Sequence, residues 1–352
     1  MGYMDGAGRL EGSLEAGVDL GFSERTANAH VYQFAHDRVR QASLVLAKEQ
    51  GTQTDVGMLV GQYLLSRPDP ELWMFFAGVD HLNSVPLDEL LKNGMSLVGL
   101  AELNWKAGKK AADLTSFAPA ALYYKRAVDL LNKLGHDRWV QQYQLNLEVY
   151  SSAADVEFRL GRFSVGSAYV NEVVVHAQAP MDTVRVRSSL AEAMGQQLRN
   201  DEAVGICKEV LSILGEKTRR RNLMQVMMKI RKIKPMYMCR TADELANLPL
   251  LSDPRRVASV ETLSMAAHRA VWAGDMAFYV WAIVRCAEIA VTEGICAASI
   301  NGVSMFSSIL AALEFPLMDV DLGLKIALGV RKMVQRFDAT SWECRVLFNA
   351  CK

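Results

Sequence analysis

The feature that most constrains this chain is a recurrence of helix-length apolar segments, several of them closed by a glycine. Leu97 to Ala112 and Ala118 to Leu134 carry apolar residues at helical spacing, and Gly135 ends the second. Trp139 to Leu160 reads as one long helix with Val140, Tyr143, Leu147, Tyr150, Ala154 and Phe158 on its apolar side. Gly161-Arg162-Phe163 turns the chain into Ser164 to Ala177. Met181 to Leu198 and Glu202 to Leu214 repeat the theme up to Gly215. Successive helix–turn–helix units therefore recur at about 40 residues, a period that belongs to helical-repeat architectures.

One helix pair cannot bury both of its apolar faces, so such pairs must stack. The expected fold class is all-α, a tetratricopeptide-like solenoid of helical hairpins. Trp105, Tyr123, Tyr143, Tyr150, Phe158 and Leu211 are expected between adjacent helices. No stretch sustains a period of two, so no sheet is expected beyond a small one before Val31.

Elsewhere, Val31 to Lys48 and Asp55 to Leu65 read as helices. Asp69-Pro70-Glu71 is expected to open another, with Pro70 in its first turn. A basic helix is expected over Arg219 to Lys234. Thr241 followed by Glu244 has the spacing of a capping box. Leu248-Pro249 and Asp253-Pro254 read as loop punctuation. Ala258 to Ala273, Met276 to Glu293, Ile295 to Leu313 and Asp321 to Phe337 read as four further helices. The expected organisation is a helical segment over 1–66, repeats over 67–240, and further repeats over 241–352 that continue beyond the C-terminus.

Composition narrows the function classes. Hydrophobic residues make up 51% and charged residues 22%, enough to fill a large core. Lys and Arg together number 39, as do Asp and Glu, a balance that argues against general nucleic-acid or membrane-surface binding. Cys207, Cys239, Cys286, Cys296, Cys344 and Cys351 make no CxxC pair, so they are expected to be reduced, mostly buried, and not metal ligands. The expected compartment is cytoplasmic; the N-terminus has no basic start followed by an apolar run. Gly294 to Leu313 is uncharged and of near-spanning length, yet it holds Ser299, Asn301, Ser304, Ser307 and Ser308, which suit a buried helix better than lipid.

No catalytic motif is complete. Gly108-Lys109-Lys110 has its earlier glycine at the wrong spacing and lacks the following Ser or Thr of a phosphate loop, and reads as a helix with exposed lysines. His36-Asp37-Arg38 and His136-Asp137-Arg138 invert the order of a kinase catalytic loop and lack its asparagine. No cofactor, metal or catalytic residue is expected. The basic helix has two readings. Arg219, Arg220, Arg221, Lys229, Arg231, Lys232 and Lys234 surround Leu223, Val226, Met227, Ile230 and Ile233, a pattern that fits an acidic partner, calmodulin or anionic lipid. It equally fits one more array helix with a solvated basic face.

Several segments resemble a known family. Tyr32-Gln33-Phe34-Ala35-His36-Asp37-Arg38-Val39-Arg40-Gln41-Ala42 resembles a Phe-x-His-Asp-Arg-(Val/Ile)-Gln-Gln-Ala segment, with Arg40 in place of the usual Gln. Val79-Asp80-His81-Leu82-Asn83 is similar to Val-Asn-His-Leu-Asn, and Ala101 to Asn104 with Ala107 to Ala111 is similar to Ala-x-Leu-Asn-Leu-x-Ala-Gly-x-Lys-Ala. Ala120 to Tyr124 and Leu248-Pro249 with Asp253-Pro254 look like later signposts. These belong to large signalling kinases in which a serine/threonine kinase domain precedes a STAND-type AAA ATPase module, a helical repeat region, and GAF and histidine-kinase domains. The resemblance runs from about Leu10 to Lys352. It implies the tail of the ATPase module over 1–66, a candidate winged-helix remnant, followed by the repeat region. No catalytic residue of that family has a counterpart here. The resemblance makes His36, Asp37 and Arg38 candidates for sensing nucleotide state; the alternative is a buried, hydrogen-bonded structural histidine.

Two functions from different classes follow. The first is a non-catalytic repeat segment that binds a protein partner or neighbouring kinase and ATPase domains, with no nucleic acid or membrane involved. The second is an enzyme with a small-molecule pocket between helices. A third, a nucleic-acid binder working through the basic helix, would show strong salt dependence.

Overall fold

A computed structural model describes residues 14–25, 32–49, 53–218, 223–312 and 319–339, and these are predominantly helical. The chain divides into two compact units, Met1–Ala107 and Gly108–Lys352.

In the first unit β1 (Ser23–Arg25) pairs antiparallel with β2 (Tyr32–Phe34), Ser23 opposite Phe34. Helices α1 (Asp37–Glu49), α2 (Gln53–Leu65), α3 (Leu72–Ser84), α4 (Leu87–Lys92) and the larger part of α5 (Leu97–Asp113) follow. The helix expected from Val31 thus starts six residues later. Three residues of strand carry too little periodicity to be read, and what fixes them is pairing to a segment nine residues back. Nor does Pro70 enter α3. Glu71 stays extended as the N-cap, and its carbonyl takes the first helical hydrogen bond from Phe75.

Helices α2 and α3 meet through glycine. A Cβ on Gly61 would lie 3.0 Å from the Gly78 carbonyl oxygen and 2.8 Å from Leu82 Cγ, so the two backbones approach as only small residues permit. On the same unit Asn83 and Asn104 exchange reciprocal amide hydrogen bonds of 2.8 and 3.1 Å, with Asn104 buried. Each closes one of the motif segments quoted above, which gives both asparagines a structural reason.

The second unit contains α6 (Phe117–Asn132), α7 (Arg138–Gln141), α8 (Tyr143–Arg159), α9 (Phe163–His176), a 3-10 turn (Pro180–Thr183), α10 (Val184–Gln196) and α11 (Asn200–Ile213). After these come α12 (Leu223–Met238), α13 (Ala242–Ala246), α14 (Pro254–Trp272), α15 (Met276–Thr292), α16 (Ser299–Ala312) and α17 (Val320–Arg336). Helices α8/α9, α10/α11, α14/α15 and α16/α17 pack as consecutive pairs. The first helix of each later pair also touches both helices of the pair before it: α10 meets α8 and α9, α14 meets α10 and α11, α16 meets α14 and α15. Helices α12 and α13 depart from that order. Inserted between α11 and α14 in sequence, they lie on α15 and α17 instead. One apolar core, from Ala191 to Val334, runs through these later elements.

Gly135, Gly161 and Gly215 sit at φ of 84°, 73° and 88°, the left-handed conformation that ends a helix and that glycine adopts without a Cβ clash. The long helix expected from Trp139 is broken. Gln142 has φ −132° and ψ 47°, and the Asn146 side-chain amide donates to the carbonyls of Arg138 (3.1 Å) and Gln142 (2.8 Å), filling the gap. The break shifts the helical phase, so Trp139 is buried and Val140 is 81% exposed. Tyr150, Phe158 and Leu211 lie in the core as expected, whereas Tyr124 takes the buried place expected of Tyr123. Trp105 and Tyr143 are only half-buried.

Other boundaries moved for local reasons. Asp253 caps α14 by accepting from the Arg255 N–H (2.9 Å), and Pro254 occupies its first turn, so this dipeptide opens a helix rather than a loop. Helix α12 runs past Lys234 through Pro235 to Met238, its last turn held by buried Tyr237, whose hydroxyl donates to the Ala287 carbonyl (2.8 Å). The capping box at Thr241 forms: Glu244 N–H to Thr241 Oγ1 is 3.2 Å and Thr241 N–H to Glu244 Oε2 is 2.7 Å. In α16, Ser299, Asn301, Ser304 and Ser307 are buried, and the Asn301 amide donates to Ser264 Oγ (2.8 Å). No helix among the described residues is long and apolar enough to cross a membrane.

Candidate functional site

His36, Asp37 and Arg38 stand together where α1 begins, and all three are exposed. The His36 Nδ1 accepts a hydrogen bond from the Arg38 backbone N–H (3.1 Å), and Asp37 accepts from the Gln41 amide (3.1 Å). The ring caps an otherwise unpaired helical N–H. The alternative reading of His36 as buried is therefore corrected: it is hydrogen-bonded but open to solvent.

The basic helix separates into two populations. Val226, Ile230, Ile233 and Tyr237, at steps of four, three and four, form a buried stripe. Lys229 beside it pairs with Glu288 of α15, and Lys234 pairs with Asp319 ahead of α17 at 2.9 Å. These two lysines fasten α12 to its neighbours. Arg231 and Lys232 are exposed on the other side, and pair with no carboxylate among the described residues. Met227 belongs there too, at 38% exposure, not to the apolar stripe expected of it. Arg219, Arg220 and Arg221 lie outside the described residues.

Sequence reasoning missed the strongest charge cluster. Glu216, just past α11, is buried and receives Arg285 through Nε (2.8 Å) and Nη2 (3.0 Å), with Arg256 Nη1 at 2.8 Å. Arg285 also reaches Glu288 at 2.7 Å, and Arg256 reaches Glu293 at 2.9 Å. Burial works against the charge on Arg285, but hydrogen bonds to Glu216 and Glu288 outweigh it and raise its pKa. Burial likewise works against ionised Glu288, yet Lys229 and Arg285 hold its carboxyl below the usual range. A partner 69 residues away leaves no local signal, and nothing around Glu216 in the sequence marks it.

A second polar cluster joins α8 to α10. Arg185 donates to Glu148 (3.2 Å), to Asp155 through Nη2 (2.8 Å) and to Ser152 (3.2 Å), and Ser189 hydrogen-bonds Asp155. Burial pushes the neighbouring Tyr124 phenol up to about 12, against the opposing effect of a hydrogen bond to Ser152. Cys207 and Cys286 are buried, and burial pushes the Cys207 thiol up to about 12, which keeps it protonated at neutral pH. Cys239 is exposed and Cys296 half-buried; Cys344 and Cys351 lie outside the described residues. No group of three His, Cys, Asp or Glu that could hold a metal ion occurs among the described residues. Lys109 and Lys110 are exposed on α5, and Gly108 beside them packs on the Tyr124 ring. The clusters that do form tie one helix to another.

Set beside known proteins, the chain matches no family model and no solved structure. It is similar to the hybrid signal transduction histidine kinase G of Dictyostelium discoideum, with 24% identity over 204 residues. That match covers 52% of this chain and 6% of the length of the relative. The likeness connects the chain with signal-transduction kinases.

Proposed function

We propose that this chain is a non-catalytic segment of a signalling ATPase-kinase, and that stacked tetratricopeptide-like hairpins in its second unit hold a protein partner or the neighbouring catalytic domains. The packing order carries the reading. When the first helix of each pair rests on both helices of the pair before it, every hairpin depends on its neighbour, as in helical arrays that bind partners. The similarity to a signal transduction histidine kinase supports a place in a signalling protein. Residues 1–66 would then be the tail of an ATPase module, working in the cytoplasm.

Phosphoryl transfer needs a phosphate cradle, a metal-binding carboxylate and a group that positions the nucleophile. The sequence offers no Gly-rich loop ending in Lys and Ser or Thr. His36, Asp37 and Arg38 are exposed where they could report on nucleotide held by another module, a role without turnover of its own. The test is purified chain with Mg²⁺ and labelled ATP. Neither hydrolysis nor phosphotransfer is expected. Turnover abolished by a point change within this chain would replace the reading with that of an enzyme carrying a pocket between its helices.

A further inference from the structure

Helix α12 has a second face that is exposed to solvent. Met224, Met228, Arg231, Pro235 and Met238 are all exposed, at steps of four, three, four and three, which repeats the spacing of the buried stripe on the opposite side. Met227 and Lys232 flank them. Met224, Met228 and Met238 are 65%, 56% and 54% exposed. A solvated helix face is ordinarily built of charged and amide side chains, whereas three of these five residues are methionine. Methionine is flexible and polarisable and suits surfaces that adapt to another protein.

Charge specifies what the face accepts. From Arg219 to Met238 the sequence holds seven basic residues and no Asp or Glu. Lys229 and Lys234 are neutralised by Glu288 and Asp319. Arg231 and Lys232 remain exposed in the middle of the methionine stripe. We propose that the outer face of α12 docks an acidic amphipathic helix of a partner protein, whose apolar stripe covers the methionines and whose carboxylates meet Arg231 and Lys232. This rests on the partner-binding reading above and gives that partner a chemistry. A lipid surface fits less well. Among its described side chains the exposed face has no aromatic residue or leucine to insert, and its two cations lie between Met228 and Met238 instead of flanking the apolar stripe.

The probe is a synthetic helix of about four turns, with leucines at steps of three and four and glutamates beside them. Its controls are the same helix with lysine for glutamate, and vesicles of phosphatidylcholine with or without phosphatidylserine. Fluorescence anisotropy should show binding of the acidic helix alone, weakened by salt. Met228→Asp and the double change Arg231→Glu/Lys232→Glu should each weaken it by about tenfold or more. Because all three side chains are exposed, circular dichroism should show both variants folded. Equal binding by the variants, no binding of the acidic helix, or binding only to phosphatidylserine vesicles would overturn the proposal. None of those results would create ATP turnover, so this inference and the non-catalytic reading fail separately.

Discussion

Gly166 shows how closely packed the hairpins are at the scale of a residue. It lies in α9 against α8, and a Cβ built there would come within 2.6 Å of Phe158 Cε1, a ring that is itself buried. Replacing a mid-helix glycine by alanine ordinarily stabilises by about 1 kcal/mol. Forcing a methyl into a filled core costs about 1–3 kcal/mol. The second effect should win, so Gly166→Ala is expected to lower urea stability by about 1 kcal/mol or more; a stabilised variant would show that the ring can move aside. The sequence marked Phe158 as core through its helical phase, but it did not mark Gly166, because the need for glycine comes from a side chain on another helix. Tyr123 and Tyr124 make the same point. Adjacent tyrosines on one helix cannot both face inward, and only the neighbouring helix decides that Tyr124 does.

At the scale of elements, buried charge fastens the segment after α11 to α14 and α15. Removing one partner of a buried pair leaves the other uncompensated, at about 3–5 kcal/mol. Glu216→Ala should therefore destabilise the second unit by about 3 kcal/mol in urea. Glu216→Leu combined with Arg285→Met should recover part of that loss, because it leaves neither of those charges stranded. Acid sensitivity follows from the same cluster. Glu288 is held below its ordinary pKa, so the folded state binds fewer protons than the unfolded chain. Its contribution is complete above about pH 4.5 and is lost as the pH falls through the folded value. Asp319, held low first by the Leu322 N–H and then by Lys234, acts in the same direction. Thermal stability should fall more steeply with acid in the wild type than in Glu288→Gln, and parallel curves would contradict this. Helices were the most legible elements, since each needs only its own period. What could not be read were the interruptions: Gln142 breaks a helix because Asn146 completes the gap, and Pro235 fails to break one because Tyr237 anchors the turn beyond it.

At the scale of the whole second unit, the order of contacts predicts how stability is distributed. In a stack where each hairpin meets only its neighbours, a local defect should spread a short distance and stop. The inserted α12 and α13 complicate this in a definite way. They lie on α15 and α17, and Arg336 donates to the carbonyls of Ala246 and Leu248, both at 2.9 Å. The last hairpin therefore depends on the insertion as well as on the hairpin before it. Ile326 is fully buried in α17, and truncation to alanine should cost about 2–5 kcal/mol. In Ile326→Ala, hydrogen exchange should accelerate first in α16, α17, α13 and the C-terminal half of α12. Helices α8 and α10, whose main contacts lie in the earlier hairpins, should keep their protection. The sequence anticipated the helices of this unit but not this closing of the later hairpins by an insertion, because α12 resembles any other amphipathic helix until its partners are known. Equal acceleration from α8 to α17 would mean one cooperative body, and the stacked-hairpin reading would then have to be given up.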